Sequence, residues 1–219
     1  MKVAIITPVH DFIYDKLLSN INEQYKYDYT HIIVNDNSTK NINGIIKNKN
    51  DKTSIIYAPV TEKRNLKWSL SRVNEIITDI VHVVESDAVP SGNVFNKMFE
   101  AYYMLQGQGK CVASVSPMYT WRGKYCYPTH THWHTDGEKN GYEISSNRIG
   151  KIANVGGAGV PFLYSLWNPK VFQYINQEKF PKFLHLDRDF GNFIYKKGFE
   201  HFRLLDCNIE HYGGGKKSW

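Results

Sequence analysis

The chain has 219 residues, 42% of them hydrophobic and 22% charged, which is the make-up of a folded globular protein and excludes a disordered or collagen-like one. Its formal charge of +6 favours anionic partners such as a nucleotide diphosphate, an acidic membrane surface or a nucleic acid. The basic residues are scattered, with short runs such as Lys196-Lys197 and Lys216-Lys217 and no long basic tail, which weighs against nucleic acid. Three widely spaced cysteines, Cys111, Cys126 and Cys207, form no CxxC and leave an odd count, which argues against a disulfide framework, and a reducing, cytoplasmic setting is expected. No apolar run approaches the roughly 18 residues of a membrane span.

In chain order, Val3 to Thr7 reads as a first strand with an exit loop from Pro8 to Asp11. Ile13, Leu17, Leu18 and Ile21 recur at helical spacing and predict a helix over 12–21. His31 to Val34 is a second strand, closed by Asn35-Asp-Asn-Ser-Thr39, a cluster that turns a chain and caps a helix. A short helix or loop over 42–49 and a strand over 54–58 follow. Leu66, Leu70, Val73 and Ile77 predict a helix over 64–78.

Val81 to Val84 then reads as a buried strand. It runs into Glu85-Ser86-Asp87, and Pro90 and Gly92 turn the chain after it. The spacing predicts a helix over 94–105, a strand over 111–116 and a long aromatic segment, 119–148, of lid or binding-loop character. A strand over 152–155, a helix begun by Asn168-Pro-Lys170, a helix over 187–197 and a strand over 199–205 complete the pattern. Alternating strands and helices predict an α/β fold with a mostly parallel central sheet, in one continuous domain.

Ligands of open α/β sheets sit beyond the carboxyl ends of the strands. The two acids at 85 and 87 stand there, at a spacing that lets both reach one hydrated Mg2+ or Mn2+. The plain alternative is a solvated turn with two ordinary charges. Gly156-Gly-Ala-Gly159 lacks the Lys-Ser/Thr of a phosphate loop and better fits a loop where a ligand approaches the backbone. Trp121, Trp133 and Trp167 could stack on a ligand's rings, although core packing is the commoner fate of Trp. His130, His132 and His134 suit a mobile lid better than a zinc site.

Four landmarks in this order resemble the GT-A glycosyltransferases, and within them family 2. They are Val3-Ala-Ile-Ile-Thr-Pro-Val-His10, Ile32-Ile-Val-Asn-Asp-Asn-Ser-Thr39, Glu85-Ser-Asp87 and Leu186-Asp-Arg-Asp-Phe-Gly191 with Tyr195-Lys-Lys-Gly-Phe199. The chain departs from the family in having Glu85 for the first acid of the DxD motif and Leu186 ahead of Asp187. The resemblance implies a GT-A domain over 1–219, with a nucleotide-binding half over 1–92 and an acceptor-binding half over 93–219. It implies a metal-dependent, inverting hexosyltransferase-like enzyme that moves a sugar from a UDP-sugar to a hydroxyl of a glycan or other acceptor.

Under this resemblance Asp87 and His211 hold Mn2+ or Mg2+, and Glu85 and Ser86 lie at the ribose and metal-bound water. Pro8, Val9 and Asp36 receive the base and ribose, and Arg64, Arg72 or Lys67 reaches the base edge or diphosphate. Asp187, at a helix start, is the general base. The residues taken one at a time also allow an N-cap at Asp187, a turn at Asp36 and a surface histidine at 211. A retaining transferase, a transferase acting on nucleic acid and a non-catalytic nucleotide- or glycan-binding module are the alternative readings.

Overall fold

The computed structural model describes residues 1–11, 13, 17–25, 27–46, 50–58, 65–90, 93–121, 124–126, 144–147, 150–156, 162–182 and 185–211. Arg64, the histidines at 130, 132 and 134, Trp133, most of the 119–148 segment and the glycines 157 and 159 lie outside the described residues.

The elements run β1 (Lys2–Val9), α1 (Leu17–Gln24), β2 (Asp28–Asn35), α2 (Ile42–Ile45), β3 (Thr53–Tyr57), α3 (Leu66–Ser71), β4 (Ile80–Val84) and β5 (Ala88–Pro90). They continue with α4 (Val94–Gly107), β6 (Val112–Trp121), β7 (Lys124–Cys126), β8 (Ile144–Asn147), β9 (Gly150–Asn154) and β10 (Tyr164–Trp167). A helix α5 (Leu186–Lys196) and a long strand β11 (Glu200–His211) finish the order. One sheet joins them in the order β3-β2-β1-β4-β10-β6-β11-β9-β8, with β5 on β11 and β7 on β6. β3, β2, β1 and β4 are parallel, β10 runs against them, and β6 and β11 are parallel to each other. The expected mostly parallel α/β sheet is therefore present.

The first four strands stand in the order of a mononucleotide-binding half-fold, and the order reverses between β1 and β4. Side chains alternate across each strand, so the sheet has two cores. Val3, Ile5, Ile80 and Val84 face α1 and α4, whereas Ile6, Val81 and Val83 face α3, a 3-10 turn at Pro169–Tyr174, and α5. Phe190 of α5 is the hub of the second core: its ring lies 5.5–6.1 Å from those of Phe162, Trp167, Phe172 and Phe180. Trp167 is fully buried and donates to Ser165 Oγ, so it belongs to that core and not to a sugar platform.

Three sequence expectations change. The helix expected over 64–78 is α3 plus one 3-10 turn, Arg72–Glu75, because Ile76 is extended at φ −119° and ψ 134°. Ile77 thus leaves the apolar face and is 89% exposed. The last strand does not end at 205 but continues to His211. The helix expected over 94–105 runs on to Gly107, and the left-handed backbone that follows it falls on Gly109 at φ +81°.

Candidate functional site

The acid pair is held by a turn that the sheet closes on both sides. Glu85 N–H donates to Leu163 O at 2.8 Å, and Ala88 N–H donates to Glu85 O at 3.1 Å. Ala88, Val89 and Pro90 then pair antiparallel with His211, Glu210 and Ile209. This pairing brings the end of β11 to the end of β4.

β11 reaches there by a bulge. Leu204 lies opposite Pro117 and the next partners are Asn208 and Met118, so three residues of β11 have no counterpart on β6. Pro117 has no N–H to offer a ladder, which suits the break.

Glu85, Asp87 and His211 consequently place one ligand atom each within 4.8 Å of one another. His211 Nε2 lies 3.0 Å from Asp87 Oδ2, and both side chains are 13% exposed. Burial alone would lower the pKa of His211, but the hydrogen bond to Asp87 and the charges of Asp87 and Glu85 outweigh it and raise it. Two carboxylates and an imidazole, half-buried at a strand exit, form an oxygen-rich donor set that fits Mn2+ or Mg2+. Ser86, between the acids, is half-buried.

The neighbouring strand exits form a second part, tied together by hydrogen bonds. Pro8 and Val9 end β1 and are buried. Val9 O accepts from Asp36 N–H at 2.8 Å and from Ser38 Oγ–H at 3.4 Å. Asp36 is fully buried, and both its carboxylate oxygens accept from Asn65 N–H, at 2.8 and 3.0 Å. Asn65 in turn caps α3 through Trp68 N–H at 3.0 Å. Asp36 thus ties the β2 exit to the start of α3.

His10 donates from Nδ1 to Asp36 O at 2.8 Å. Asp11, at φ 59°, accepts from Thr39 and Lys40 N–H and from the Thr39 hydroxyl. Burial works to raise the Asp11 pKa, yet these donors hold it below the usual carboxylate value. His10, Asp11 and Asn65 belong to this hydrogen-bonded cluster, and the sequence did not single them out as candidates; an acid two residues beyond the strand-one Pro-Val was the available signal.

Asp187 sits in the first turn of α5 and accepts from Arg188 N–H at 2.9 Å. His185, at φ 62°, opens the helix without a side-chain cap. Part of the Asp187 side chain meets solvent, but enough protein surrounds it that burial raises its pKa, against the pull of its own and the Arg188 backbone N–H and of nearby positive charge. After α5, Glu200 N–H donates to Cys111 O at the start of β6. Eleven helical residues rise about 16 Å, so α5 begins toward the edge where β4 and β11 end. Phe190 also packs on Phe162, next to the Leu163 carbonyl that anchors Glu85.

Two predicted cations are engaged elsewhere. Lys67 Nζ donates to Gln177 O and Phe180 O at 3.3 and 3.1 Å. Arg72 pairs with Glu75, donates to Ser71 Oγ at 3.1 Å, and lies 4.3 Å over the Trp68 ring. It stands toward the opposite sheet edge, where Asp79 N–H meets Lys2 O.

No protein-family model matches the chain, and no curated protein does. Solved structures do. The mannosyltransferase PcManGT from Pyrobaculum calidifontis, in complex with GDP-Man and Mn2+, aligns at TM-score 0.66 and 13% identity over 98% of this chain and 57% of its own. S. aureus TarS 1-349 in complex with UDP aligns at 0.63 and 14%, over 97% and 60%. A mycobacterial protein aligns at 0.61 and 12%, over 98% and 68%. The chain therefore spans 57–68% of the length of these structures. At such identity the likeness is one of fold: the chain has the GT-A-like, Rossmann-type architecture.

Proposed function

We propose that the protein is a glycosyltransferase that moves a sugar from a nucleotide-diphosphate donor to an acceptor hydroxyl. The observation that carries this reading is the convergence of Glu85, Asp87 and His211 at the exit of β4, beside the reversal of strand order. The fold's likeness to structures holding GDP-Man with Mn2+ and UDP supports it.

Asp87 and His211 would hold a divalent cation directly, with Glu85 on a bound water or the ribose. When bound, Mn2+ or Mg2+ supplies Lewis-acid stabilisation of the leaving diphosphate. The β1 and β2 exits, braced by Asp36 and Asp11, receive the nucleoside, with uracil our proposed base. Ser86 lines the same turn. Asp187 accepts the acceptor hydroxyl proton, and its raised pKa makes it a stronger base than an ordinary aspartate. The hydroxyl oxygen then attacks the anomeric carbon from the face opposite the diphosphate, and the configuration inverts.

A panel of nucleotide-sugars incubated with the protein and Mn2+ tests the reading. Slow release of one nucleoside diphosphate, lost with chelator and in Asp87→Ala, is the expected result. Donor binding without release from any of the panel would instead mark a non-catalytic binding module. The anomeric configuration of the product separates inversion from retention.

A further inference from the structure

The outer side of α5 and the 3-10 turn Pro169–Tyr174 form a ledge that the transfer chemistry does not use. Phe193 packs on Tyr174 and Phe180, with ring centroids 5.6 and 5.4 Å away. Lys179 Nζ sits 3.6 Å from the centre of the Phe193 ring. Lys197 Nζ lies 5.5 Å from the same ring and 5.9 Å from Tyr174. Tyr195 is 47% exposed, and Lys196 beside it is exposed. Residues 170–198 carry five lysines and Arg188 against three acids, Glu178, Asp187 and Asp189, in a chain whose whole net charge is +6. Among the described residues, no carboxylate lies within ion-pair distance of Lys179, Lys196 or Lys197.

We propose that this ledge docks the protein on an anionic phospholipid bilayer. The ammonium groups of Lys179 and Lys197 sit over these rings on exposed residues, with no carboxylate paired to them among the described residues. A plane of phosphates satisfies such an array, and Tyr195 suits the headgroup layer, where an amphipathic ring is stable. A nucleic acid fits less well. It binds through bases stacked on open ring faces, and Phe193 already carries an ammonium over its ring. The ledge lies on the half of α5 away from Asp187. Phe193 is six residues further along, which is about 9 Å of helix, so docking leaves the proposed donor crevice open. No helix among the described residues is long and apolar enough to cross a membrane, so the contact is peripheral.

Co-sedimentation of the full chain with phosphatidylcholine vesicles, with and without phosphatidylglycerol, tests the proposal. We expect binding only to the anionic vesicles, abolished at high salt, where charges are screened within a few ångströms. Lys179→Glu with Lys197→Glu should weaken it at least ~tenfold while donor hydrolysis and melting temperature hold. Because those ammonium groups sit on rings, a second variant, Tyr195→Ser with Lys196→Glu, alters only exposed side chains and should weaken binding too. Equal binding to both vesicle types, binding to neither, or undiminished binding in both variants overturns the proposal. So does salt-sensitive capture of single-stranded RNA without any vesicle binding.

Discussion

Acid should unfold this protein through its buried histidines, and His82 isolates the effect. His82, on β4, is fully buried between Tyr25, Phe95 and Tyr164, with ring centroids 5.7, 5.2 and 4.4 Å away. Neither ring nitrogen has a hydrogen-bond partner among the described residues. The three rings and the apolar residues beside them offer no carboxylate to stabilise an imidazolium, and burial lowers the His82 pKa from 6.5 to about 3. Burial also lowers His31 to about 3, and it lowers His201 to about 4 although a bond to Gly191 O works the other way.

A group depressed on folding binds its proton in the unfolded chain first, so its stability is complete above pH 6.5 and is lost as pH falls toward the folded value. Each pH unit below 6.5 removes about 1.4 kcal/mol per histidine, so at pH 5 each has lost about 2 and the three together about 6 kcal/mol. That is comparable with the whole stability of a typical domain, about 5–15 kcal/mol. His211 acts with the opposite sign: its folded pKa is raised, so its contribution is present below the unfolded value and fades as pH rises. It is unchanged in a His82 variant and cancels in the difference.

Urea titrations of the parent and His82→Phe at pH 7.5 and pH 5 measure that difference. Between the two conditions the variant should lose about 2 kcal/mol less than the parent, whatever the larger ring does to packing at either pH. Equal losses in the two proteins would refute a deeply depressed His82.

Replacing His211 by Ala removes one member of the donor set, and Mn2+ binding measured by calorimetry should weaken by about 10–100-fold with donor turnover falling in step; unchanged affinity would remove His211 from the site. Asp187→Asn keeps the turn geometry and removes the base, so sugar transfer should fall about 100–10,000-fold while donor affinity holds, and the acid limb of the parent's pH–rate profile should lie above the ordinary aspartate value of 3.8. Phe190→Ala opens a hole among four rings. A loss of about 3–5 kcal/mol is expected by denaturant unfolding, and a loss under about 1 kcal/mol would show that the second core can collapse around it.

The parts of this protein that were legible in the sequence are those whose signal is local. Val81 to Val84 followed by Glu85 and Asp87 is a buried strand with acids at its exit because β-branched residues and turn chemistry say so within ten positions. The alternation of such strands with helices implied the mostly parallel sheet, and Gly198, at φ +88°, closes α5 where its glycine suggested. Tertiary structure alone decided the length of β11. Beyond Leu204 its pairing slips across a bulge, and period-2 patterning cannot be read through three residues that have no counterpart. Only that extension, fastened by β5, carries His211 across 124 positions to Asp87. The knot of Asp11 with Thr39 and Lys40, and the clamp of Asp36 on Asn65, were likewise beyond the sequence. Propensity acts between neighbours in the chain, whereas a site at the mouth of a sheet is assembled by strand order and register.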